Sequence, residues 1–164
     1  MSYDSRSLFM MNVYELVIPS DKGLTNLDII RYTKMLGVSH FRGVFMCDEL
    51  PSEIHTLECG IMNFNRSDQF GSHWVCYVKN RNTRIYFDSF GQITPIEIQK
   101  YLKTSEEFKN DTPVIERNTD IVQRPNTHVC GHLCLFVLTA LMREHLSYQE
   151  VLNILNDGYT QGDW

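Results

Sequence analysis

The sequence predicts an α+β domain in which a small, mostly antiparallel sheet packs on one buried central helix. Three observations predict it. Leu133 to Met142 is apolar almost all round, interrupted only by Thr139, which is how a helix buried on every side reads. His73-Trp74-Val75-Cys76-Tyr77-Val78 is rich in aromatic and β-branched residues, and Arg84-Ile85-Tyr86-Phe87 follows it across the turn residues Asn80-Arg81-Asn82, the signature of a hairpin. The chain has 164 residues, 43% of them hydrophobic. That suits one core, so residues 1–164 are expected to form a single domain.

The elements follow in order. Residues 1–23 read as an extended arm with one strand candidate, Tyr14-Glu15-Leu16-Val17-Ile18, closed by Pro19 and Gly23. Thr25 to Leu36 reads as a helix: Thr25 and Asp28 have capping-box spacing, and Gly37 supplies the stop. Phe41–Met46 is a short strand candidate broken by Glu49-Leu50-Pro51, and Gly60–Phe64 is a second apolar run of strand length. After the hairpin, Thr94 and Pro95 open a helix to about Lys103, with threonine as cap and proline in the first turn. Residues 104–112 form a polar loop. Weak strand signals surround Val114-Ile115 and Ile121-Val122. The buried helix starts at Cys130, and Ser147 and Glu150 are spaced as a second capping box for a last helix.

Composition removes several classes of function. The apolar content excludes disorder, and five prolines and nine glycines exclude a low-complexity chain. Fifteen Lys and Arg against twenty Asp and Glu give a net charge of −5, so no global positive field recruits nucleic acid or an anionic membrane. The basic turn Lys79, Arg81, Arg84 reads as a solvated hairpin tip. The apolar run of the buried helix is far short of the ~20 residues of a membrane span. Met1 to Met11 carries Asp4 and Arg6 before a brief apolar run and is no secretory signal. Five cysteines, an odd count without Cys-x-x-Cys spacing, speak for free thiols in a reducing, intracellular setting.

Four residues carry a chemistry. Cys130, beside Gly131 at the start of the buried helix, sits at the positive end of a helix dipole, which favours a thiolate. Gly131 lets a substrate backbone approach closely. His73 opens one hairpin strand after Gly71-Ser72, and Asp88 ends the other. Both side chains can reach one edge of the sheet, where Asp88 would hold the imidazole through Nδ1–H and the other nitrogen would face a thiol. Gln123, seven residues before Cys130, could join the Cys130 N–H in an oxyanion hole. Each has a plainer reading: a packed cysteine, a strand-end histidine, a turn aspartate, a solvated glutamine. Trp74 could wall a substrate cleft or fill the core.

His128, Cys130, His132 and Cys134 alternate in a way that suggests zinc. Four ligands at every second position of a strand cannot surround an ion, and in a helix only Cys130 and Cys134 share a face. No metal or other cofactor is expected, and His132 and Cys134 read as packing residues. Cys47, Cys59 and Cys76 read as core, and His40, His55 and His145 as surface or capping residues.

The ordered set His73-Trp74, Phe87-Asp88-Ser89-Phe90-Gly91, Gln123 and Cys130-Gly131-His132-Leu133-Cys134 resembles the adenovirus maturation protease family. That family shares a permuted papain-like geometry with the SUMO-deconjugating cysteine proteases. Leu27 to Gly37 and Phe41-Arg42-Gly43-Val44-Phe45 extend the likeness upstream, over roughly residues 25–145. Within it, the proteases of virophages and of virus-like DNA transposons look nearest. The resemblance implies His73 as general base, Asp88 as its acid, Cys130 as nucleophile and Gln123 as oxyanion donor. The seven-residue step from glutamine to cysteine is adenovirus-like, whereas the aspartate is the deconjugase choice, the adenoviral acid being glutamate.

The implied activity is a cysteine endopeptidase of virus maturation, cutting capsid or other virion precursors at small or Gly-containing sites inside an infected cell, with no membrane partner. The alternatives are a processing protease for a ubiquitin-like protein and a non-catalytic capsid-associated domain. A DNA or peptide activator also comes with the resemblance. Against it stand the −5 charge and the lack of any cysteine between Cys76 and Cys130 to tether a peptide. The chain ends soon after the last helix, so a cofactor groove built from a longer C-terminal part is expected to be missing.

Overall fold

Thr25 caps the first helix in both directions: its hydroxyl accepts from the Asp28 N–H at 3.1 Å, and Asp28 Oδ2 accepts from the Thr25 N–H at 3.0 Å. This is the reciprocal box its spacing predicts. The helix, α1 (Asn26–Met35), is followed by Gly37 with a left-handed φ of 67°. The computed structural model describes residues 22–69, 73–81, 83–104 and 114–162. The Tyr14–Ile18 strand and the rest of the arm up to residue 21 lie outside the described residues, as do Gly71, Ser72, Asn82 and residues 105–112 of the polar loop.

Five strands form one sheet in the order β1-β2-β3-β4-β5: β1 (Phe41–Met46), β2 (Glu58–Asn63), β3 (Trp74–Lys79), β4 (Arg84–Phe87) and β5 (Ile115–Arg117). The central pairings, β2–β3 and β3–β4, are antiparallel, and the edge pairings, β1–β2 and β4–β5, are parallel. A parallel neighbour needs a crossover. For β4–β5 the crossing segment contains α2 (Ile96–Leu102). The predicted α+β class stands, with α3 (Cys130–Met142) behind the sheet and α4 (Tyr148–Gln161) beside it.

Side chains of β3 alternate between two cores, as the period of a strand requires. Trp74, Cys76 and Val78 join the larger cluster with Leu133, Phe136 and Val137 of α3. Val75 and Tyr77 join a smaller one with Ile98, Tyr101 and Leu102 of α2 on the other face. Helices on both faces explain why β2, β3 and β4 are buried along their whole length. Every residue of α3 from Cys130 to Ala140 is buried, as its unbroken apolar run demands. Each fully buried Leu or Phe there contributes about 1.5–3 kcal/mol.

Several local expectations change. Pro95 occupies the cap position of α2 in an extended conformation (φ −59°, ψ 149°), so Thr94 does not cap; its carbonyl accepts from Gln99 Nε2 at 2.7 Å. The Ser147 cap of α4 is as expected, its hydroxyl accepting from the Glu150 N–H at 3.1 Å. Ile121 and Val122 lie in a loop, where the Val122 N–H donates to the Ser89 carbonyl at 2.8 Å. Lys79 and Arg84 are no solvated tip: both are buried, with Lys79 Nζ donating to the Thr56 carbonyl at 2.8 Å and Arg84 Nε to the Leu102 carbonyl at 2.6 Å. Their long stems cross the sheet faces while the charged ends find carbonyls at its rim.

Candidate active site

Three elements deliver side chains to one end of the sheet. His73 immediately precedes β3, Asp88 immediately follows β4, and Cys130 is the first residue of α3. The antiparallel register Cys76↔Phe87 brings the start of β3 beside the end of β4. Packing of α3 against β3 sets the helix N-terminus at the same corner.

His73 Nε2 lies 2.6 Å from Asp88 Oδ1, and both groups are buried. The expectation of an Nδ1–H contact is therefore corrected: the strand presents the imidazole with Nε2 to the acid. Nδ1 is the nitrogen left free of the acid, and the neighbouring Cys130 strengthens the ring's hold on its proton. The ring is fixed by Phe90 stacked at 5.0 Å and Phe64 edge-on at 5.0 Å. Burial alone pulls the His73 pKa down, but the hydrogen bonds to Asp88 and Cys130, and their charges, raise it to about 9. The imidazolium is the form this pocket favours.

Asp88 is itself clamped. Its Oδ1 also accepts from the Phe90 N–H at 2.9 Å. Asn118 grips its backbone on both sides: the Asp88 N–H donates to Asn118 Oδ1 at 3.0 Å, and Asn118 Nδ2 donates to the Asp88 carbonyl at 2.6 Å. Cys130 Sγ accepts from the Trp74 N–H at 3.4 Å, a backbone donor added to those of the helix start. Trp74 is held by its Nε1–H, which donates to the Leu24 carbonyl at 3.0 Å. A Cβ on Gly131 would sit 3.1 Å from Trp74 Cδ1 and 3.4 Å from Leu24, so the glycine makes room for the indole. Beside Trp74 runs a groove of about 380 Å³, lined by Leu24, Asn26, Val44, Phe45, Glu49 and Gln69 among others.

Gln123 is buried in the loop entering α3. Its Nε2 donates to the Thr127 carbonyl at 3.0 Å and its Oε1 accepts from Ser89 Oγ at 2.5 Å. The sequence alone does not assign Ser89 and Asn118 these roles. Ser89 lies next to Asp88, which is a usable signal; Asn118 sits in a weakly patterned stretch that offers none.

The other thiols behave as core. Burial raises the pKa of Cys47, Cys59 and Cys134. His132, fully buried in the first turn of α3, has its pKa lowered to about 4 by desolvation. His40, His55 and His145 are exposed. Among the described residues, no group of three or more His, Cys, Asp or Glu could hold a metal ion, and no helix is long and apolar enough to cross a membrane.

Several known proteins are similar to this chain. The protease of bovine adenovirus 2 is 29% identical over 119 residues, covering 65% of this chain and 58% of that protein. The protease of human adenovirus B serotype 3 is 31% identical over 96 residues, 52% of this chain and 46% of its own length. The chain thus spans about half the length of the curated relatives it matches. The crystal structure of the ASFV protease has the same fold, with a TM-score of 0.58 at 17% identity over 86% of this chain and 67% of that one. The model of the adenovirus endoprotease family matches residues 41–157, a span that holds His73, Asp88, Gln123 and Cys130, and the chain belongs to that family.

Proposed function

We propose that this chain is a cysteine endopeptidase with His73, Asp88 and Cys130 as its triad and Gln123 as an oxyanion donor. The observation that carries the reading is the buried 2.6 Å contact from His73 Nε2 to Asp88 Oδ1, with Cys130 Sγ held 3.4 Å from the N–H of Trp74, the residue next to His73. The Cys130 thiolate attacks the scissile carbonyl carbon, and the carbonyl π electrons move to oxygen. The Cys130 N–H and Gln123 Nε2 hold that oxyanion, where one such donor is worth about 10²–10³ in rate. Collapse breaks the C–N bond, and the leaving amine takes the proton from His73 Nδ1. Water, deprotonated by the same nitrogen, then hydrolyses the thioester and frees the thiolate.

The groove beside Trp74 suits an extended peptide, and a Cβ on Gly131, next to the nucleophile, would already crowd the indole. This supports cleavage at small or Gly-containing sites. Adenovirus proteases among the relatives support a virion or capsid precursor as substrate, within an infected cell. The test is incubation of wild type and Cys130→Ala with the candidate capsid precursor, with and without DNA, read by mass spectrometry. Cuts made by the wild type alone support the reading. No cuts, together with a Cys130 that iodoacetamide does not label selectively, would overturn it.

A further inference from the structure

The amide of Gln123 is locked at both ends. The Thr127 carbonyl, 3.0 Å from Nε2, can only accept, so the NH₂ must face it. Oε1 then faces Ser89, whose hydroxyl donates at 2.5 Å. Ser89 and Gln123 are both at most 1% exposed, so water does not substitute for either partner. The two loops are joined independently of these side chains: the Val122 N–H donates to the Ser89 carbonyl at 2.8 Å, and Asn118 clips Asp88. The Ser89 hydroxyl is therefore not needed to dock one loop on the other.

We infer that Ser89 is the positioning residue of the oxyanion donor: its hydroxyl holds the carbonyl end of Gln123 so that the second Nε2 hydrogen stays aimed at the developing oxyanion. The inference rests on the oxyanion reading of Gln123 above. A buried amide oxygen stripped of its donor is costly, so in its absence the amide turns to find another partner and the N–H leaves the oxyanion. Ser89 directly follows Asp88, so one turn after β4 orients the acid behind His73 and the donor opposite Cys130.

The test follows turnover of a fluorogenic peptide amide ending in Gly-Gly by wild type, Ser89→Ala, Ser89→Thr, Gln123→Ala and the Ser89→Ala/Gln123→Ala pair. Ser89→Ala is expected to lower kcat about 10–100-fold with KM within about threefold, the mark of an interaction made in the transition state. Ser89→Thr, which keeps the hydroxyl, is expected to stay within about fivefold of wild type; should Ser89→Ala fail to fold, Ser89→Cys, whose thiol is a weak donor, takes its place, with kcat lowered at least about threefold expected and wild-type kcat overturning the inference. In the Gln123→Ala background, Ser89→Ala should cost nothing further. The pH profile of Cys130 alkylation by iodoacetamide should not move. Wild-type kcat in Ser89→Ala, beside a crippled Gln123→Ala, would overturn the role of Ser89 alone. Wild-type kcat in Gln123→Ala would overturn the oxyanion reading and the inference with it. Additive losses, or a shifted alkylation profile, would show that Ser89 acts through the fold or through Asp88.

Discussion

His73 meets Asp88 through Nε2, not Nδ1, at 2.6 Å inside a buried corner of the sheet. The contact holds one ring nitrogen against a carboxylate and leaves the other free of it, the division that the proposed triad requires. Asp88 in turn is held by Asn118 and the Phe90 N–H, so the ring has little freedom to rotate away.

In the proposed triad His73 must be protonated to serve the leaving amine, so the alkaline limb of activity is expected near its pKa of about 9. Asp88→Asn removes a hydrogen-bonded charge that holds this value up. The limb should move down toward the ordinary histidine range, with kcat lowered about 10–100-fold. Profiles of kcat/KM from acid to alkaline pH measure both. A limb that stays in place would assign it to another group.

Two histidines shape stability in opposite directions. The folded-state pKa of His73, about 9 against 6.5, stabilises fully below pH 6.5, and that share is lost as pH rises through 9. His132, at about 4 against 6.5, costs nothing above 6.5 but destabilises as pH falls toward 4, because the unfolded chain then binds the extra proton. Each difference is worth about 3 kcal/mol. Denaturant titrations across this range should give a dome centred near pH 6.5. His132→Leu should flatten only its acid side.

Gln123→Ala should lower kcat about 10²–10³-fold and leave Cys130 alkylation unchanged. Single-turnover kinetics beside iodoacetamide labelling separate these effects. Parallel losses in both would mean that the substitution disturbs the nucleophile itself.

Gly131→Ala pushes a methyl to within 3.1 Å of Trp74 Cδ1. Such overpacking costs about 1–3 kcal/mol. The displaced indole should raise KM more than it lowers kcat. Thermal denaturation and steady-state kinetics test the two halves; an unaltered KM would separate Trp74 from substrate binding.

Gly91→Ala should do greater damage at a distance from the sulfur. Its φ is 64° and a Cβ would sit 2.5 Å from the Thr119 carbonyl oxygen, which is backbone and cannot swing aside. The turn carrying Asp88 and Ser89 would separate from the loop carrying Gln123. A loss above about 3 kcal/mol is expected, with residual activity falling faster than folded fraction. Circular dichroism beside active-site titration distinguishes the two.

Much of this was legible in the chain. The capping box of Thr25 and Asp28, the hairpin from Trp74 to Phe87 and the buried run from Leu133 to Met142 are local patterns, set by hydrogen bonds and side-chain period over a few residues. Cys130, His73, Asp88 and Gln123 could be nominated because a strand end, a turn and a helix start are places where such side chains reach a common corner. Their order along the chain suggested the family.

Local elements, and the residue types available for chemistry, are thus written in neighbouring residues alone. The tertiary structure decided what depends on residues far apart: the parallel edges of the sheet, the burial of Lys79 and Arg84, the choice of Nε2 for Asp88, and the clamps by Asn118 and Ser89. A strand's register and a helix's docking angle determine which atoms of a side chain come within about 3 Å of a partner 15 or more positions away, and hydrogen bonds act only at that range. Those distances arise when the two cores close on opposite faces of the sheet, and no stretch of sequence contains them alone.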